Sequence, residues 1–99
     1  MIEYIKEYGI TNLDYEYIMH NVKMNYIELM ALSEPAVRKV LEYYNSIGIT
    51  HDISEIIIKR PDLILISLEN LRDLLGKIDI DVFSRLVSFN IDDLILLGI

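Results

Sequence analysis

The sequence predicts an all-α fold, short helices in a compact helical-repeat array, and three observations carry that expectation. Helix punctuation recurs along the whole chain, with Ser, Thr or Asp ahead of apolar stretches and Gly or Pro behind them. Apolar residues between these marks recur at helical spacing. Two stretches also align with each other at offsets of 39 and 34 residues.

Taken in order, Ile2, Ile5 and Tyr8 fall on one helical face, and Gly9 stops the turn. Thr11-Asn12 offers an N-cap, with Asp14 three residues after Thr11 as in a capping box. Leu13, Tyr17, Ile18 and Val22 are expected to be the buried stripe of the next helix. Tyr26, Ile27, Leu29 and Met30 make a short apolar segment before Ser33-Glu34-Pro35, where Ser would cap and Glu and Pro occupy the first turn. Val37, Val40, Leu41 and Tyr44 continue that helix to Gly48, placed as a C′ glycine.

The second half repeats the grammar. Thr50 or Asp52 is expected to cap a helix containing Ile53, Ile56 and Ile57, which Pro61 ends. After the short run Leu63 to Ile66, Ser67 caps a helix with Leu68, Leu71, Leu74 and Leu75, closed by Gly76. Asp79 or Asp81 opens a further helix through Val82, Phe83, Leu86 and Val87, and Asp92-Asp93 precedes a last apolar turn ending at Gly98. The runs Ile56-Ile57-Ile58 and Leu63 to Ile66 have high β propensity, and periodicity does not decide segments this short. Helix-type connectors and the lack of an Asn-Gly or Asp-Gly turn favour helices.

Ninety-nine residues, 53% of them hydrophobic, suffice for one domain with one modest core. No apolar run approaches the roughly 20 residues of a membrane span. The start Met1-Ile2-Glu3-Tyr4-Ile5-Lys6-Glu7 carries acids early, which predicts neither a secretory signal nor a transit peptide. With no cysteine there is neither disulfide nor thiolate chemistry, and a cytoplasmic location is expected. The formal charge of −7 is shared by both halves. Four cations oppose seven acids in residues 1–50, and five oppose nine in residues 51–99. Such a surface repels phosphate backbones; it serves solubility, or else it meets a basic partner or mimics nucleic acid.

The internal echo is specific in its residues. Tyr44 to Thr50 matches Ile5 to Thr11, and Ser33 to Leu41 matches Ser67 to Leu75, while a weaker echo at offset 29 relates Asp52-Ile53 through Leu65 to Asp81-Val82 through Leu94. A period of about 30–40 residues is that of helical solenoids, whose units bury an apolar face only against a neighbour. Approximate units are 2–43, 44–76 and 77–99; coincidence in an Ile/Leu-rich chain is the alternative. The best-formed unit reads Ile47-Gly48-Ile49, Asp52-Ile53, Ile56-Ile57, Arg60-Pro61, Leu63, Leu65, Ser67 and Glu69-Asn70-Leu71. It resembles a repeat of the mitochondrial transcription termination factor (mTERF) family over about a third of the chain. The resemblance implies an array of three-helix units with nucleic acid bound on a basic surface.

Little in the sequence points to catalysis. His20 and His51 are about 30 residues apart, too few for a structural zinc site without carboxylate help. Ser33 and Ser67 stand where caps belong, and Asp79, Asp81, Asp92 and Asp93 precede apolar helical segments, where carboxylates favour the helix dipole. The four Gly are isolated, so no phosphate loop is formed. No enzyme, cofactor or metal is expected.

Two interaction readings remain. All seven Tyr lie in the first 44 residues with Met19, Met24 and Met30 among them, and both members of Tyr15/Tyr17 or Tyr43/Tyr44 hardly fit one small core. This favours a protein-binding regulatory module, an inhibitor or immunity-type factor, with Tyr15, Tyr17, Met24, Tyr26, Tyr43 and Tyr44 as partner-binding residues. The alternative is an mTERF-like nucleic-acid binder using Arg38, Lys39, Lys59, Arg60 and Arg72, with Arg38 and Arg72 at equivalent repeat positions. Leu94 to Ile99 lacks a polar cap, so it folds into the core or buries itself in a partner or a second copy of the chain.

Overall fold

A spacing of three sets how both ends of the chain fold. Ile2, Ile5 and Tyr8 recur every third residue, the period of a 3-10 helix, in which such side chains eclipse. The computed structural model, which describes residues 1–99, has a 3-10 helix at Glu3–Tyr8 with all three buried. Ile91, Leu94 and Leu97 repeat that spacing in a second 3-10 helix, Ile91–Leu97. Gly9 and Gly98 end these segments at φ 97° and 77°, left-handed values that favour glycine. At Gly9 a Cβ would also stand 3.4 Å from Thr50.

Seven α-helices lie between: α1 (Asn12–Asn21), α2 (Met24–Leu32), α3 (Glu34–Ser46), α4 (Ile53–Lys59), α5 (Asp62–Leu65), α6 (Leu68–Leu75) and α7 (Ile80–Phe89). There is no strand, so the Ile- and Leu-rich runs at 56–58 and 63–65 are helical. Thr11 caps α1 by accepting from the Asp14 N–H at 3.1 Å, and Ser67 caps α6 by accepting from that of Asn70 at 3.1 Å. Asp79 starts α7 by accepting from the Asp81 N–H at 2.8 Å.

Two expected caps are not made. Ser33 is the only residue between α2 and α3, and its φ of −106° and ψ of 27° serve the end of α2, not the extended conformation an N-cap needs. The carboxylate of Asp52 accepts from the Ser88 hydroxyl at 2.7 Å, tying the start of α4 to the end of α7. The expected unit boundary at 43/44 also falls inside α3, whose last turn contains Tyr43 and Tyr44.

The longest helix, α3, is the centre of the packing. It touches the N-terminal 3-10 helix, α2, α5 and α6, while α4 packs on α1, α5 and the C-terminal 3-10 helix. Val37, Val40, Leu41 and Tyr44 form its buried stripe as their spacing requires. Two tyrosines carry hydroxyls inward and satisfy them: Tyr4 donates to the Met30 carbonyl and Tyr44 to the Leu63 carbonyl, each at 2.7 Å. Asn45 donates to the carbonyls of both Tyr8 and Ile49, at 3.2 and 3.1 Å, which joins the turns around Gly9 and Gly48. The buried set contains no charged side chain, and no helix is long and apolar enough to cross a membrane.

Candidate interaction surfaces

The expected buried stripe of α1 is half inverted. Ile18 and Val22 are buried, but Leu13 and Tyr17, one turn apart, are 77% and 59% exposed. Helical geometry places Leu13 about 140° round from Ile18, so only one of them can face α4. In α2, Ile27 and Met30 enter the core, whereas Leu29 and Leu32 lie about 100–160° away from them and face outward, Leu32 at 83%. Met24, at the start of α2, is exposed as well. A short helix that is apolar on opposite sides ordinarily needs cover on both. Among large apolar side chains, a second exposed group lies on α7 and the C-terminal 3-10 helix: Val82, Phe89, Ile95 and Leu96. The apolar C-terminus is therefore divided, with Ile91 and Leu94 in the core and Ile95 and Leu96 outside.

The tyrosines separate by neighbour. Tyr17 is exposed, and Tyr15, Tyr26 and Tyr43 are half-buried against the core. Tyr44 is removed from the partner-binding set: it is fully buried, its ring stacks 6.4 Å from that of Phe83, and its hydroxyl is bound to Leu63. Two of the half-buried rings are covered by cations, Tyr15 by Lys6 at 4.5 Å and Tyr43 by Arg72 at 5.6 Å. Leu13, Leu29 and Leu32 join Tyr17 and Met24 among the exposed apolar side chains of α1 and α2. For Leu29 and Leu32 the signal in the sequence was apolar residues on opposite sides of α2.

The five cations expected for nucleic-acid binding differ in their neighbours. Arg38 is held by Glu7 and Glu34, each at 2.9 Å, touches the Tyr8 hydroxyl and covers the Tyr4 ring. Arg60 donates two hydrogen bonds to Asp62 and a third to the Ile99 carbonyl. Glu7 and Glu34 push the pKa of the Arg38 guanidinium upward, and Asp62 that of Arg60. Lys39 and Arg72 line a shallow cleft of about 240 Å³ between α3 and α6, with Glu42, Tyr43, Ser46 and Leu68. Lys59 lines a different cleft. Arg38 thus lies against Tyr4 and Tyr8 of the N-terminal 3-10 helix, and Arg72 over Tyr43 of α3.

Each resolved pKa shift moves its group away from neutrality, where a general acid or base would work. The N-terminal ammonium lowers Glu3, and burial raises Tyr15 and Tyr44. Burial, with a smaller contribution from Glu34 against the opposing Arg38, pushes the Tyr4 phenol up to about 12. An unfolded tyrosine titrates near pH 10. The folded state therefore keeps the Tyr4 proton longer, and the stability linked to it is complete below about pH 10 and lost as pH rises through about 12. Urea denaturation is expected to give a constant unfolding free energy approaching pH 10 and a falling one above it. Tyr4→Phe, which has no proton to lose there, is expected to flatten that slope while lowering the plateau.

His20 and His51 are both exposed, and the Asp52 beside His51 is bound to Ser88. No cluster of His, Asp and Glu is arranged to hold a metal ion. Comparison with protein-family models, curated proteins and solved structures finds no match.

Proposed function

We propose that this chain is a non-catalytic regulatory module, of the inhibitor or immunity type, that binds another protein through the outer face of α1 and α2. The observation that carries this reading is the exposure of Leu13, Tyr17, Met24, Leu29 and Leu32 on two consecutive helices. Exposed apolar groups concentrated on one stretch of structure characterise binding surfaces. Asp14, Glu16 and Glu28 stand on the same two helices, so the fitting partner has an apolar face edged by Lys or Arg.

The scaffold we propose is a pair of stacked three-helix units, α1–α3 and α4–α6. Its support is that the offsets of the sequence echo also relate structural contacts. Arg38 lies over Tyr4 and Arg72 over Tyr43, pairs whose arginines are 34 residues apart and whose tyrosines are 39 apart. Helix α1 packs on α4, and α3 on α6. This agrees with the mTERF resemblance as architecture. For nucleic-acid binding the support is weaker, since Arg38 and Arg60 already have carboxylate partners.

The test is capture of a partner on the immobilised chain from lysate, with nuclease and at rising salt. A stoichiometric protein that stays bound under both treatments, and is released when Tyr17 and Leu32 are changed to serine, is the expected result. Phosphate contacts would weaken steeply with salt. Loss of all bound material on nuclease treatment would overturn the proposal.

A further inference from the structure

The two surface clefts of this acidic protein are basic. Together they are lined by four of the nine Lys and Arg residues, Lys23, Lys39, Lys59 and Arg72, but by only one of the sixteen carboxylates, Glu42. None of these four cations forms an ion pair, although twelve acids have no ion-pair partner. Elsewhere the guanidiniums of Arg38 and Arg60 find carboxylates, while Lys6, Lys77 and Arg85 also form no ion pair. What sets the four apart is their gathering in concave sites nearly free of carboxylates, which makes those sites receptive to anions.

The clefts differ in what they accept. The one between α3 and α6 includes Glu42, which repels an anion, and its Arg72 already leans on Tyr43. The other has no carboxylate. It lies where the α1–α2 joint meets the end of α4, holds about 230 Å³, and is lined by Asn21, Val22, Lys23, Tyr26, Ile58, Lys59 and Pro61. Lys23 comes from one segment and Lys59 from the other, so an anion between them bridges the two. Val22 is buried and Tyr26, Ile58 and Pro61 are half-buried, which gives the cleft an apolar wall. Asn21 is steadied by its hydrogen bond to the Tyr17 carbonyl at 2.8 Å. The volume falls below the roughly 300–1,000 Å³ of a drug-sized site and suits a single side chain or small group.

We propose that this cleft binds a phosphate monoester carried on a flat apolar stem, with Lys23 and Lys59 on the phosphate and Tyr26, Ile58 and Pro61 against the stem. Lysine serves phosphate as a compact point charge, and two of them balance a dianion. The chemistry is shared by a phosphotyrosine side chain and a free aryl phosphate. A nucleic-acid strand is disfavoured because its further phosphates would run over a surface with a formal charge of −7.

The experiment is an amide NMR titration of the full chain, backed by calorimetry. The probes are phenyl phosphate, a short phosphotyrosine peptide, its unphosphorylated form and a single-stranded oligonucleotide at equal phosphate concentration. Saturable shifts at Lys23, Tyr26, Ile58 and Lys59 are expected with the first two probes only. Lys59→Gln and Lys23→Gln should each weaken binding about tenfold, the scale of one charge-assisted hydrogen bond, while Lys39→Gln should not. Tighter binding of the peptide than of phenyl phosphate would indicate a protein-borne ligand, and equal binding a free one. No saturable shift at these residues, equal binding of the unphosphorylated peptide, preference for the oligonucleotide, or affinity unchanged in Lys59→Gln would each overturn the proposal.

Discussion

Tyr44→Ala is expected to remove about 3–5 kcal/mol of stability, the range for deleting a large aromatic group from a packed core. A domain of this size has about 5–15 kcal/mol in total, so the variant would lose from about a fifth to all of it. The reason is the number of elements that meet on one side chain. Tyr44 leaves the last turn of α3, stacks within 6° of parallel on Phe83 of α7, and ends on the Leu63 carbonyl of α5. Tyr44→Phe separates two of these contributions. It keeps the ring and its packing but leaves a buried carbonyl without its donor, which costs about 1–3 kcal/mol. Urea and thermal unfolding of both variants measure the two effects. A loss under about 1 kcal/mol in Tyr44→Ala would mean that α3, α5 and α7 do not depend on this contact.

That residue also marks where sequence reasoning reaches its end. The buried stripe of α3 was legible because Val37, Val40, Leu41 and Tyr44 stand at helical spacing and the opposite face is polar. It was equally legible that Tyr43 and Tyr44 diverge, so that one of them faces away. Assigning Tyr44 to a partner surface failed because both tyrosines were offered to that surface, although Tyr44 itself continues the apolar stripe. The Arg38–Glu34 pair follows from their i, i+4 spacing. The Arg38–Glu7 pair does not, since it depends on how the N-terminal 3-10 helix lies along α3.

In α1 and α2 the sequence underdetermines the answer for a different reason. A helix with one apolar face has a single way to enter a core. In α1, Leu13/Tyr17 and Ile18/Val22 are two competing apolar sets, and periodicity takes all four as one stripe. Packing against α4 and the N-terminal 3-10 helix selects Ile18 and Val22, and the rejected set becomes surface. The failure of periodicity and the candidate site therefore coincide. Ser33 is a smaller case of the same kind, where a residue type suited to a cap sits between two abutting helices that leave no extended residue to form one.

That coincidence sets the second large effect. Because Leu13, Tyr17 and Leu32 already stand in water, replacing each with serine should alter folding stability by only about 0.5 kcal/mol. In a complex the same side chains would be central and dry, and truncating a residue of that kind typically costs 2 kcal/mol or more, about 30-fold in affinity. The double variant Tyr17→Ser/Leu32→Ser is accordingly expected to unfold near the parent's midpoint and to lose at least about 100-fold in partner binding, measured by calorimetry with the captured protein. Phe89→Ser, from the other exposed apolar group, should bind as the parent does. If Phe89→Ser weakens binding and the double variant does not, the interface lies on α7 and the C-terminal 3-10 helix. The exposed leucines of α2 would then be a tolerated surface of a helix too short to choose one face.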